Sequence, residues 1–105
     1  MATIEVETIR VWAPLGAHAI HAVKDGEFRV RVIDGHYESS HRVTLSTEHY
    51  NRLTDGKIEP QELVKRSFEF LLEREPKESI LAQFDLQVIA RYFPEYEREI
   101  KRRLP

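Results

Sequence analysis

Five histidines give this chain its only side chains that would ordinarily titrate near neutral pH. His18 and His21 are three residues apart, so on a helix they would share a face and could hold a metal. His36, His41 and His49 are the candidate third ligands. The spacing between these groups matches no common ligand pattern, and a His-Glu-x-x-His run is absent. On a strand, His18 and His21 would point to opposite faces. They are read as surface or half-buried histidines, with no metal, no cofactor and no catalytic residue assigned. Ser39-Ser40-His41 sets hydroxyls beside an imidazole, but alternation on a strand aims Ser40 and His41 to opposite sides of the sheet.

The other reactive residue types have structural readings. Carboxylates sit mostly beside Lys and Arg on solvated helix faces. Asp85 stands alone between Phe84 and Leu86, where it suits the N-cap of a helix. The four glycines never cluster, so no loop is built to cradle phosphate, and a chain without cysteine has no thiol or disulfide chemistry. Phe68, Phe70, Phe84, Tyr92, Phe93 and Tyr96 have few interleaved basic residues, which favours a core over a base-stacking platform. The remaining enzymatic reading is a cleft between sheet and helices that uses His41 or His49.

One constellation rises above this background. The run from His41 to Leu53, followed by Glu59 to Phe68, resembles a ribbon-helix-helix module, in which a strand presents alternate polar side chains to the DNA major groove. Here those side chains are Arg42 and Thr44. With His49 at the junction to the following helix, they form the candidate interaction surface. Sixteen Lys and Arg against eighteen Asp and Glu give a net charge of −2 and no long-range pull towards phosphate, so nucleic acid is the weaker expectation.

These residues must be positioned by two halves of different period. In Glu27 to Ile33, Phe28, Val30 and Val32 fall on one face while Arg29 and Arg31 fall on the other. Asp34-Gly35 predicts a two-residue hairpin turn that pairs Arg31 with Glu38 and Glu27 with Arg42. The same fold puts Tyr37, His41, Val43 and Leu45 on the inner face. Asp25-Gly26 predicts a second turn, facing Val23 to Phe28, with a strand (or, in competition, a short helix) over residues 15–23. Ile4 to Trp12 alternates but slips phase at Thr8-Ile9, where a β-bulge would absorb the change, and Pro14 would end the strand.

From Ser46 the period becomes helical. Ser46 or Thr47 caps a first helix, and Gly56 suits the left-handed position after it. Pro60 opens a second helix carrying Leu63, Val64, Phe68, Phe70, Leu71 and Leu72, an apolar arc wide enough to touch at least two other elements. Glu75-Pro76 stops it. A short helix through Ile80 and Leu81 is expected next, then one opened by Asp85. A last helix follows Pro94, with acids at its start and Lys101-Arg102-Arg103 at its end, matching the helix dipole.

The segment from Arg66 to Pro76, with Ser79 to Leu81, Phe84 to Leu86 and Tyr92 to Glu97, resembles a group of short uncharacterised bacterial proteins. The likeness covers Val64 to Ile100. It implies a bacterial cytosolic protein and carries over no site.

Hydrophobic residues at 41% and charged residues at 32% fit a soluble globular chain, and no apolar run is long enough to span a bilayer. The start of the chain has acids where a signal peptide has bases. The sequence therefore predicts a single α+β domain over residues 1–105, cytoplasmic, with an N-terminal antiparallel meander of three or four strands on about four short helices. Its expected function is non-enzymatic, through a protein partner or self-association. A dimeric DNA-binding protein or antitoxin is the alternative.

Overall fold

The computed structural model describes residues 2–12 and 25–104. Strands β1 (Thr3–Trp12), β2 (Asp25–Asp34) and β3 (Tyr37–Leu45) form an antiparallel meander. Four helices follow: α1 (Thr47–Thr54), α2 (Pro60–Leu72), α3 (Ile89–Tyr92) and α4 (Tyr96–Arg103). A fourth strand, β4 (Gln83–Asp85), lies between α2 and α3 in the chain and pairs parallel to β3, giving the sheet order β1-β2-β3-β4. The architecture is the expected α+β class, with a mixed rather than purely antiparallel sheet.

Several local expectations hold. The register of β1 on β2 shifts between Thr8 and Arg10, which makes Ile9 the bulge that the phase slip required. Ser46 caps α1 by accepting from the His49 N–H at 3.1 Å. Both Asp55 and Gly56 then take left-handed backbone angles to end it. Pro60 is the first residue of α2, where its missing N–H costs nothing.

The β2–β3 hairpin differs in register. The two-residue turn is Gly35-His36, and Asp34 pairs with Tyr37, so Arg31 lies opposite Ser40 and Arg29 opposite Arg42. Only Gly35, at φ +62°, takes a positive angle there. A turn with glycine first needs one such residue, whereas Asp34-Gly35 at its centre would have asked Asp34 to adopt one too. The shift is two residues, so every side chain keeps its face. The predicted ion pairs survive as diagonals, with Arg42 Nε 3.1 Å from Glu27 and Arg31 bonded to Glu38.

Asp25-Gly26 is not a turn. Both residues belong to β2, and Phe28 lies opposite Thr8 on one side and Val43 on the other. Gly26 serves a close approach: a Cβ there would meet the Phe28 ring at 2.7 Å. The Asp25 carboxylate accepts from the Thr47 N–H at 3.0 Å, at the start of α1. The expected element over residues 15–23, Pro14, and the histidines at 18 and 21 lie outside the described residues.

The core sits between the inner face of the sheet and α2. Phe28, Val30, Val32 and Val43 meet Leu63, Val64 and Phe68, all at 1% exposure or less. On its other side α2 meets α4, where the Phe70 and Tyr96 rings stand 5.4 Å apart. Ser67 donates to the Leu63 carbonyl at 2.8 Å, so the buried Tyr96 hydroxyl donates in turn to Ser67 at 2.8 Å. Burial pushes the Tyr96 phenol well up from its ordinary value, and it stays protonated. Tyr92, expected in the core, is 67% exposed. The short helix expected through Ile80 and Leu81 is a 3₁₀ turn over Lys77–Ser79 followed by extended chain.

Phe68→Ala is expected to cost about 3–5 kcal/mol of unfolding free energy by denaturant titration. Tyr92→Ala should change it by less than about 0.5 kcal/mol. Equal costs would contradict this assignment of core and surface.

Candidate functional site

The outer face of the sheet carries the predicted residues Arg42 and Thr44. Four arginines and four glutamates tile it: Arg10 and Arg42 both lie 3.1 Å from Glu27, Arg29 lies 3.8 Å from Glu7, and Arg31 bonds Glu5 and Glu38. Glu27 is buried between its two partners. Charge balance makes this face locally neutral, and the directly opposed Arg29 and Arg42 are separated electrostatically by Glu7 and Glu27. Thr44 Oγ1 donates to Asp85 Oδ2 at 2.8 Å.

Both candidate reading side chains are thus committed within the fold. A ribbon-helix-helix protein also needs its strand free to pair with a second copy, yet β3 has β2 on one edge and β4 on the other. His49 does not join Arg42 and Thr44 at a surface. It is 0% exposed, beside the Tyr96 ring at 6.2 Å, and neither ring nitrogen has a hydrogen-bond partner among the described residues. Burial, helped by nearby Arg52, lowers its pKa from the ordinary 6.5, so the ring is neutral in the fold.

His41 is buried too, on the inner face, with its ring 5.4 Å from that of Phe68. Its Nδ1 is 2.7 Å from the Leu81 carbonyl, which can only accept, so Nδ1 carries the hydrogen. In the neutral ring Nε2 then accepts from Ser39 Oγ at 2.8 Å. Ser39, not Ser40, shares the face of His41, because residues two apart on a strand point the same way. The order hydroxyl, imidazole, acceptor has the outline of a nucleophile and its base. Here the orienting group is a neutral carbonyl, and the imidazole is 3% exposed, enclosed by Ser39, Leu81 and Phe68. Its role is to fasten Leu81 to the sheet. Asp85 is the expected cap, accepting from the Gln87 N–H at 3.0 Å at the start of a 3₁₀ turn over Leu86–Val88 that leads into α3.

Beyond that fastening lies an open groove of about 390 Å³, which sequence reasoning missed. Its apolar wall includes Leu71, Ile80, Leu81, Phe84, Ile89 and Tyr92, with Glu75 and Ser79 supplying polar atoms. Three large hydrophobic side chains are exposed among the described residues, Tyr37, Leu81 and Tyr92, and two of them line this groove. The only sequence signal for it was Tyr92 itself, which helical spacing assigns equally well to a core. No histidine lines it.

Among the described residues no three His, Asp or Glu side chains gather as metal ligands, and no helix is long and apolar enough to cross a membrane. No family model matches the chain, and neither a curated protein nor a solved structure matches it.

The neutral, buried His49 makes stability depend on pH with a definite sign. Its folded pKa lies below 6.5, so as pH falls through that value the unfolded chain takes up the proton first. The stability present above pH 6.5 is then lost towards the depressed folded value. Wild type should therefore lose more stability than His49→Leu between neutral pH and pH 5 in denaturant titrations, and parallel pH profiles would contradict this account.

Proposed function

We propose that the chain is a non-enzymatic binding protein that recognises a protein partner through the groove beside β4. The observation that carries this reading is the pairing of two exposed apolar side chains, Leu81 at 48% and Tyr92 at 67%, in one concave surface. Isolated surface hydrophobics need no explanation, but exposed ones gathered in a groove do. Tyrosine at such a rim is also a frequent energetic anchor of protein interfaces. Meanwhile three polar side chains of β3 are engaged within the fold: His41 by Leu81, Arg42 by Glu27, Thr44 by Asp85. The cysteine-free composition suits action in a reducing cytoplasm.

Selection of a random-peptide display library on the immobilised protein tests the reading. Binders are expected to lose about tenfold or more in affinity on the Leu81→Ser/Tyr92→Ala double variant, the scale of an interface anchor. They should bind Arg42→Ala/Thr44→Val as they bind wild type. Binders that depend instead on Arg42 and Thr44, or a selection that enriches nothing, would contradict the proposal.

A further inference from the structure

We infer that the occupant of the groove is an extended segment of a partner protein that adds to the free edge of β4 and brings a lysine or arginine to Glu75. The inference rests on the groove being the recognition surface, and three observations carry it further.

The first is the edge. β4 ends the sheet, with β3 on one side and, among the described residues, no strand on the other. The Arg42 N–H donates to the Ala82 carbonyl at 2.8 Å, which fixes the phase of the parallel ladder. In such a ladder alternate residues face the neighbour, so Ala82 and Phe84 face β3 while Gln83 turns its N–H and C=O outward. Asp85 turns its N–H the same way. Gln83 is exposed, and its outward groups are those an added strand would engage.

The second is adjacency. Phe84 and Leu81, which flank that edge in the chain, also line the groove. A strand laid on β4 therefore has a place for the apolar side chains of every second residue.

The third is charge. Across the stretch from Glu73 to Glu97, Glu73 is bonded to Arg103, Glu78 to Lys77, Glu95 to Arg74 and Glu97 to Arg52. Glu75, half-buried in the groove wall, has no such partner among the described residues. It follows the C-terminal end of α2, whose last turn contains no basic residue and whose dipole favours a cation. Arg74, next to it, is already taken by Glu95 and Glu73. An apolar groove with one uncompensated carboxylate selects an apolar ligand that carries a positive charge.

Capped peptides of alternating leucine and threonine, with one lysine at either end, provide the probe, measured by fluorescence anisotropy against the full chain. At least one of the two orders should bind, and replacing its lysine by glutamate should weaken binding about fivefold or more. Glu75→Gln should bring the two peptides to equal affinity. Methylating the backbone nitrogens of every second residue should abolish binding for one set and spare the other, because a strand donates to its neighbour from alternate residues. Equal binding of both methylated sets overturns the edge addition, equal binding of lysine and glutamate peptides to wild type overturns the role of Glu75, and no binding by any peptide overturns the inference entirely. Display-selected binders that still require Leu81 and Tyr92 would, in each of those cases, leave the groove itself standing as the recognition surface.

Discussion

The hydrogen bond from His41 Nδ1 to the Leu81 carbonyl is the interaction on which the candidate site depends. It joins residues forty positions apart and fastens the chain leaving α2 to the sheet just before β4. Ser39 holds the ring's other nitrogen and Phe68 packs against its side, so the imidazole can turn in no other direction. Each polar atom of this buried relay has a partner, the condition under which such a relay adds order instead of cost. From that point β3 receives the returning chain residue by residue: Leu81 through His41, Ala82 through the Arg42 N–H, Asp85 through Thr44. The outcome is a parallel edge strand, with the Leu81 side chain left outside at the rim of a groove.

His49 shows the opposite case. Its imidazole is as deeply buried but faces Tyr96 edge-on, with both nitrogens unpartnered among the described residues. Burying polar atoms without hydrogen bonds costs on the order of 1–3 kcal/mol. One histidine therefore organises the fold, while the other is carried by the apolar packing around it. The outer face of the sheet follows a third rule. Its arginines and glutamates alternate across strands, each ion pair being worth about 0–1 kcal/mol, and together they give a solvated face with no net charge to attract phosphate.

What could be read from sequence was local. The slip at Ile9, the cap at Ser46, Pro60 at a helix start and the break at Pro76 each depend on neighbours within a few positions. The inner and outer faces of β2 and β3 were equally legible, because parity survives a two-residue error in register. What escaped was decided at long range. Gly26 reads as a turn until β2 is seen to pair through it, with Val11 on one side and Leu45 on the other. β4 is only three residues long, and Gln83-Phe84-Asp85 carries too little pattern to announce a strand; its pairing with β3 is set by contacts that span the chain. Tyr92 shares its helical spacing with buried neighbours, and only the packing of α3 turns it to solvent. The three predicted interaction residues separate for the same reason. Arg42 and Thr44 share a face by strand parity, while His49, four residues beyond the end of β3, is carried inward by α1.

In the proposed function, recognition belongs to the groove and the β4 edge, with the charged face of the sheet serving as scaffold. Backbone amide chemical shifts recorded during titration with a display-selected peptide test it most directly. Perturbations are expected to concentrate in Ile80 to Asp85 and Val88 to Phe93, with Glu27, Arg29 and Arg42 unmoved. Perturbations centred on those three charged residues instead, with the groove silent, would contradict it.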